Sequence, residues 1–249
     1  MNVFPKSLRL PLEYESRKFK NTIENEILIL ENLIPKSGRA IDIGANRGLY
    51  TYKLSQICDY VESFEPQPAC ADIIYAYTRR FRQNVTVHNC ALSNFKGTSN
   101  LKIPVIQGRM RRSQATGLAS LNDLAQACDE LSVPVCRLDD YNFSDVVFIK
   151  IDVEGHEQKV LEGACETLMR EKPVLLVEIE QRHLGEIPMT TVFDDILSLG
   201  YTGQFLINTE MKDIREFSYE VHQRPFLSQI MASAESGVYV NNFVFTPKV

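Results

Sequence analysis

Apolar residues at Ile23, Ile27, Leu30, Leu33 and Ile34 share one helical face, so the spacing predicts a helix over residues 15–34 that Pro35 and Gly38 bring to an end. Beyond it, short apolar runs alternate with helical patterns. RAIDIG (39–44), VESFEP (61–66) and VTVHNCAL (85–92) read as strands. Helices over 49–58 and 69–81 separate them, the second with arginines at its end, where the helix dipole favours cations. The alternation lapses over 93–137, where Gly97, Pro104, Gly108, Gly117 and Pro134 interrupt strand-like fragments. This stretch is expected to be an insertion that adds a lobe or lid. The pattern resumes with VVFIKID (146–152), a helix over 156–170, PVLLVEIE (173–180) and a helix over 190–199. GYTGQFLI (200–207) and a closing NNFVFTP (241–247) complete it, while 208–238 reads as polar and irregular.

Strands alternating with helices imply an α/β fold, a doubly wound and mostly parallel sheet covered on both faces. The unbroken apolar runs VVFI and VLLV fit central strands buried on both sides. Ligands of such sheets bind beyond the carboxyl ends of the strands. Function is therefore expected at 42–48, 65–67, 89–93, 152–156 and 178–181, where polar residues also cluster. No repeat or low-complexity linker divides the chain, so 1–249 reads as one domain with 1–38 as an N-terminal helical extension.

The 249 residues, 44% apolar and 24% charged, exclude a largely disordered, collagen-like or coiled-coil protein. Six cysteines stand singly, without a CxxC pair or histidines at finger spacing. That argues against a zinc module or disulfide scaffold and for free thiols in a reducing compartment. With no signal-like N-terminus and no apolar run of about 18 residues, the expectation is a cytoplasmic protein without a membrane span. The net charge of −5 conceals a stretch from Ile73 to Asn122 that holds eight Lys and Arg and no Asp or Glu. A uniformly basic nucleic-acid binder is excluded; a local basic surface is not.

Between the first strand and its helix lies Asp42-Ile43-Gly44-Ala45-Asn46-Arg47-Gly48. Gly44 permits a tight turn against a ligand and Gly48 a close helix–sheet approach. The helix N-terminus would receive a carboxylate or phosphate. An NAD site favours G-x-G-x-x-G, and a P-loop needs a lysine after its second glycine. G-x-N-x-G without a following lysine fits neither. Glu65 stands 21 residues after Gly44 at the end of the second strand, where an acidic residue bonds ribose hydroxyls. The plain alternative is a tight turn beside a solvated strand end.

IDIGANRGLYT, ESFEPQP, NCALSNFKGT, FIKIDVEGHEQKVLEGA and PVLLVEIE, in this order, resemble the FkbM family of S-adenosylmethionine-dependent methyltransferases. The resemblance runs over about residues 39–207, and NNFVFTP resembles the family's last strand. It implies a Rossmann-like class I methyltransferase fold, a seven-stranded sheet in the order 3-2-1-4-5-7-6, with S-adenosylmethionine as cofactor. It also implies that Gly44, Ala45 and Asn46, flanked by Asp42 and Gly48, line the methionine part. Glu65 would hold the ribose, and Ala91, Leu92 and Ser93 would sit beside the adenine. The N-terminal helix and 93–137 carry no firm family pattern, and substrate choice is expected there.

Methyl transfer from a sulfonium to a hydroxyl is an in-line displacement. Holding the reactants in contact supplies roughly 7–11 kcal/mol at best, and a positioned base about 10²–10⁴-fold. Lys150-Ile151-Asp152-Val153-Glu154-Gly155-His156-Glu157 is the densest polar cluster after any strand. Asp152 is a candidate for the cofactor's ammonium or the incoming hydroxyl. His156, with an ordinary pKa of ~6.5, is a candidate base or else a capping residue. Glu154 is a candidate catalytic carboxylate, or a partner for backbone N–H groups at the helix start. Lys150 interrupts a buried strand and needs a partner such as Glu178 or Glu180; an ion pair competes there with a catalytic role. Asp152 and Glu178 could share a divalent cation, but two carboxylates do not define a site and no metal is assigned.

Arg109, Arg111 and Arg112 are candidates for binding phosphate or carboxylate on the substrate, since arginine forks match those groups; a solvated loop is the alternative. The expected activity is an O-methyltransferase acting on a hydroxyl of a sugar or glycan precursor, with Glu178 on the substrate side. The sugar rests on the resemblance. Polyketide or other small-molecule hydroxyls, a non-catalytic module and an NAD-binding protein are the alternatives.

Overall fold

The computed structural model of the chain describes residues 4–34, 37–104, 120–122, 128–207, 210–226 and 239–248. Its strands are β1 (Arg39–Ile43), β2 (Tyr60–Phe64), β3 (Val85–His88), β4 (Ala91–Leu92), β5 (Gly97–Pro104) and β6 (Cys128–Cys136), followed by β7 (Val146–Ile151), β8 (Val174–Glu178), β9 (Tyr201–Ile207), β10 (Glu210–Asp213) and β11 (Asn242–Pro247). The main sheet has the order β10-β9-β11-β8-β7-β1-β2-β3. β3, β2, β1, β7 and β8 pair in parallel, β11 runs against β8 and β9, and β10 runs against β9. With β10 set aside, this is the order expected from the resemblance. The expectation of seven strands is corrected: among the described residues the sheet is mixed and has eight. β10 extends the edge beyond β9 from a stretch whose polar sequence reads as irregular.

Alternation along the strands sends side chains into two apolar cores. On one face Ile41, Ile43, Ile149 and Ile151 pack with Leu161, Leu168, Val192 and Ile196. On the other Ala40, Val61, Phe148 and Leu176 pack with Tyr14, Ile27, Leu30 and Leu54. The second core is roofed by α1 (Lys6–Phe19), α2 (Asn25–Leu33) and α3 (Leu49–Ile57). The single helix expected over 15–34 is thus two helices, parted where Asn21 takes a left-handed φ of 51°. Ile23 is still buried, from the connection rather than from a helix.

The strand expected over 85–92 also divides. β3 ends at His88, and β4 pairs with β6 in a separate three-stranded sheet, order β4-β6-β5, built largely from the expected insertion. α4 (Pro68–Phe81) precedes β3. The helix expected over 156–170 is α5 (Glu157–Glu162) and α6 (Cys165–Glu171), broken at Gly163, where a β-carbon would stand 2.0 Å from the Ser93 carbonyl oxygen. The short α7 (Gln181–Leu184) follows β8, and α8 (Met189–Ser198) precedes β9. None of the six cysteines is in a disulfide. No helix among the described residues is long and apolar enough to cross a membrane.

Candidate functional site

The loops after β1 and β7 interlock. Gly44 and Ala45 donate backbone hydrogen bonds to the Phe64 carbonyl, each at 3.0 Å, and the Asp152 N–H donates to the Ile43 carbonyl at 3.0 Å. Gly44 has φ +78°, and a β-carbon there would lie 1.8 Å from the Asp152 carbonyl oxygen. Only glycine fits both demands. Gly48 opens α3 at φ +88° against Leu10 of α1 and Ile74 of α4, so it joins the N-terminal extension to the sheet.

Two cavities meet at Gly44, Asn46 and Asp152. The first, about 590 Å³, lies over the ends of β1 and β2 and is walled by Glu65, Pro66, Ala91, Leu92, Glu154 and His156, with Leu101 and Leu121 from the insertion. The second, about 790 Å³, is bounded by Asp42, Ala45, Arg47, Tyr50 and Lys150, with Arg17 and Glu24 from the N-terminal extension. Both segments without a family pattern therefore reach the site.

Glu65 is 2% exposed and accepts backbone N–H groups from Asn46 and Gln67, each at 2.7 Å. Burial pushes its carboxyl up to about 7 against the pull of those two donors. Asp42 accepts the Thr51 hydroxyl at 2.5 Å, and Thr51 also meets Ser63 at 2.9 Å. Burial raises Asp42 to about 6, with Thr51 opposing.

Lys150 stands beside Asp42 in register. Its side chain is 1% exposed, with Nζ 3.4 Å from Asp152 and 3.9 Å from Glu178. It lies 4.9 Å from the centre of the Tyr50 ring, an attractive cation–ring contact. Among the described residues Nζ nevertheless has no hydrogen-bond partner, and neither does the buried Nε of Arg47. Burial works against the ammonium, but Asp152 and Glu178 outweigh it and raise the lysine pKa. This ammonium sits where a cation shared by Asp152 and Glu178 would be placed. Among the described residues no group of three His, Cys, Asp or Glu side chains is arranged to hold a metal ion.

His156 is held at both ring nitrogens. Nδ1 is 3.0 Å from Asn122 Oδ1, which can only accept, so Nδ1 donates and Nε2 accepts from the Ser93 hydroxyl at 2.9 Å. Burial, with Lys159 adding, lowers its pKa to about 4. The fold buries the ring and engages both nitrogens, which makes it less basic than an ordinary histidine. Ser93 consequently braces His156. Glu154 does not cap the helix but pairs with His183 Nδ1 at 2.5 Å. The N–H of Gly155 is instead taken by buried Glu157, at 2.9 Å, whose carboxyl burial raises to about 7.

Glu178 accepts from Asn241 at 2.6 Å, and burial, reinforced by Asp152, raises its pKa well above the ordinary range. Arg109, Arg111 and Arg112 lie outside the described residues. Sequence reasoning missed His183, Tyr50, Arg17 and Glu24. Only the position of His183 just after β8 marks it, and Tyr50 follows Gly48 by two residues without any polar pattern around it.

Residues 42–221 match the family model of the methyltransferase FkbM domain. Among solved structures the chain is similar to methyltransferase FkbM from Methylobacillus flagellatus KT, with a TM-score of 0.51 and 17% identity. That likeness covers 84% of this chain but 43% of the Methylobacillus protein, so the chain spans under half of that relative's length. It is also similar to precorrin-6y C5,15-methyltransferase from Geobacter metallireducens GS-15, at a TM-score of 0.45 and 12% identity over 88% of this chain and 87% of that one. Comparison with curated proteins finds no match.

Proposed function

Because the chain belongs to the FkbM methyltransferase family, we propose that it is an S-adenosylmethionine-dependent O-methyltransferase whose acceptor is a hydroxyl of a sugar or glycan precursor. The observation that carries this reading is the pair of cavities joined at Gly44 and Asp152. One sets apolar side chains beside the carboxylates of Glu65, Asp152 and Glu154; the other balances cations against anions.

The first suits an adenosine. Ala91, Leu92, Leu101 and Leu121 offer apolar walls. A carboxylate has about four lone-pair sites, so Glu65, with two backbone donors, keeps capacity for ribose hydroxyls. The second suits an α-amino acid end. The orphaned donors Lys150 Nζ and Arg47 Nε would satisfy a carboxylate, since buried donors left unmet are costly. Asp42 and Asp152 would face the ammonium. When bound, S-adenosylmethionine supplies an electrophilic methyl on a positive sulfur.

The acceptor side lies past Asp152, at the ends of β7 and β8, where Glu154, Glu178 and Asn241 offer hydrogen bonds to a polyol. Arg109, Arg111 and Arg112 remain candidates for an anionic group on it.

Calorimetric titration with S-adenosylmethionine and S-adenosylhomocysteine tests the reading. One site is expected, weakened about 10- to 100-fold by Glu65→Ala, the loss of a charged hydrogen bond. Absence of binding by the wild type would refute it. Transfer of labelled methyl to a panel of methyl glycosides then tests the acceptor.

A further inference from the structure

We propose that His183, held by Glu154, is the catalytic base that takes the proton of the acceptor hydroxyl; this rests on the methyltransferase reading above. The turn after β7 takes an uncommon form, with Glu154 at φ 52° and Gly155 at φ 91°. A non-glycine residue in that region is held there only by its surroundings, and such residues cluster at functional sites. Here the turn brings Glu154 Oε2 to His183 Nδ1 at 2.5 Å. A β-carbon on Gly155 would lie 2.5 Å from the His183 carbonyl oxygen, so the loops after β7 and β8 are locked together at this point.

An ionised carboxylate accepts only, so Nδ1 carries the proton and Nε2 is left with a lone pair. Among the described residues no hydrogen bond engages that Nε2, and the side chain is 18% exposed. The other three histidines are committed elsewhere. His88 gives Nε2 to Glu62 and stacks on Phe64. His156 uses both nitrogens. His222 bonds Ser218 and stacks on Phe217. Glu154 lines the first cavity and Asp152 lines both, so His183, on the loop after β8, stands one hydrogen bond from a side chain of the first cavity's wall. Burial pulls the histidine pKa down, but the Glu154 carboxylate outweighs it and the imidazole is more basic than usual.

In the step, the acceptor oxygen bonds the methyl carbon as the carbon–sulfur bond breaks, and that electron pair stays on sulfur. The hydroxyl proton passes to Nε2. The products are the methyl ether, S-adenosylhomocysteine and an imidazolium paired with Glu154.

Long-range proton–nitrogen correlation spectra of the ligand-free protein at about pH 8.5 read the histidine tautomers. A neutral His183 with its proton on Nδ1 supports the proposal, and a proton on Nε2 overturns it. Against a methyl glycoside that the wild type methylates, His183→Gln is expected to lower kcat by about 10²–10⁴-fold with KM and S-adenosylhomocysteine affinity unchanged. Imidazole added to His183→Ala is expected to restore turnover. Undiminished kcat in a folded His183→Gln protein overturns the proposal. Failure of the wild type to bind S-adenosylhomocysteine would instead remove the methyltransferase reading and leave the tautomer result standing.

Discussion

The carbonyl oxygen of Asp152 occupies the space where a side chain on Gly44 would begin, 1.8 Å from the position of its β-carbon. The two strand ends that form the candidate site are therefore in backbone contact. Gly44→Ala would add both an overlap and a left-handed alanine, so it is expected to destabilise the fold by about 3 kcal/mol or more. It should also abolish S-adenosylhomocysteine binding. At Gly97 the nearest contact would be the Phe95 ring at 3.7 Å, so Gly97→Ala should change stability by less than about 0.5 kcal/mol. Urea unfolding and calorimetry measure both.

Glu65 makes a pH prediction. Its carboxyl, ordinarily near 4.5, is pushed by burial up to about 7. Between those values the folded protein keeps a proton that the unfolded chain has released, so this group's contribution to stability falls as pH rises through the window. The fall is on the order of 3 kcal/mol. Glu65→Gln cannot ionise, so the stability of the wild type relative to this variant should drop between about pH 5 and pH 7.5, read by urea unfolding. Ribose hydroxyls prefer the ionised carboxylate. Binding of S-adenosylhomocysteine near pH 6.5 should then release protons, and Glu65→Gln should reduce the number, read by calorimetry in buffers of different ionisation enthalpy.

These turns are legible in the sequence because glycine, proline and the end of an apolar run coincide at Gly44, Gly48, Pro66 and Gly155. What escapes the sequence depends on partners distant along the chain. The run 85–92 is apolar enough for one strand. The Asn89 side chain, however, donates to the carbonyls of Glu65 at 2.8 Å and Pro66 at 3.1 Å, and the chain leaves the main sheet there. Residues 6–19 carry Pro11 and few apolar positions, yet Leu10 and Tyr14 bury one face of a helix. Only its place just after β8 marks His183, and its partner Glu154 follows a different strand.

Lys150 separates Asp152 from Glu178 in a buried setting. Removing one partner of a buried charge cluster costs more than the cluster itself contributes, typically about 3–5 kcal/mol. Lys150→Met is expected to destabilise by that amount and to weaken S-adenosylhomocysteine binding about tenfold, equivalent to the loss of one charged contact. Adding Asp152→Asn should recover at least about 1 kcal/mol of stability, because the carboxylate nearest the lost ammonium is then gone. A double-mutant cycle in urea measures the coupling, and strict additivity would contradict it.

His156 is predicted to act on the fold and to leave turnover nearly unchanged. Its ring joins Ser93 of the β4 loop to Asn122 of the insertion, at 2.9 Å and 3.0 Å. His156→Phe strands both partners, an expected loss of about 1–3 kcal/mol. The loss should depend on pH. Burial holds the folded pKa at about 4 against 6.5 ordinarily, so the unfolded chain takes up a proton first as pH falls. Stability from this group is complete above about pH 6.5 and is lost as pH drops toward 4, by about 3 kcal/mol. The wild type should thus exceed the variant in stability by more at pH 7 than at pH 5, the reverse of the Glu65 trend. Turnover of the folded variant should stay within about threefold of wild type, since no proton passes through a ring whose nitrogens are both engaged. A hundredfold loss in a folded His156→Phe protein would return the base to this residue and take it from His183.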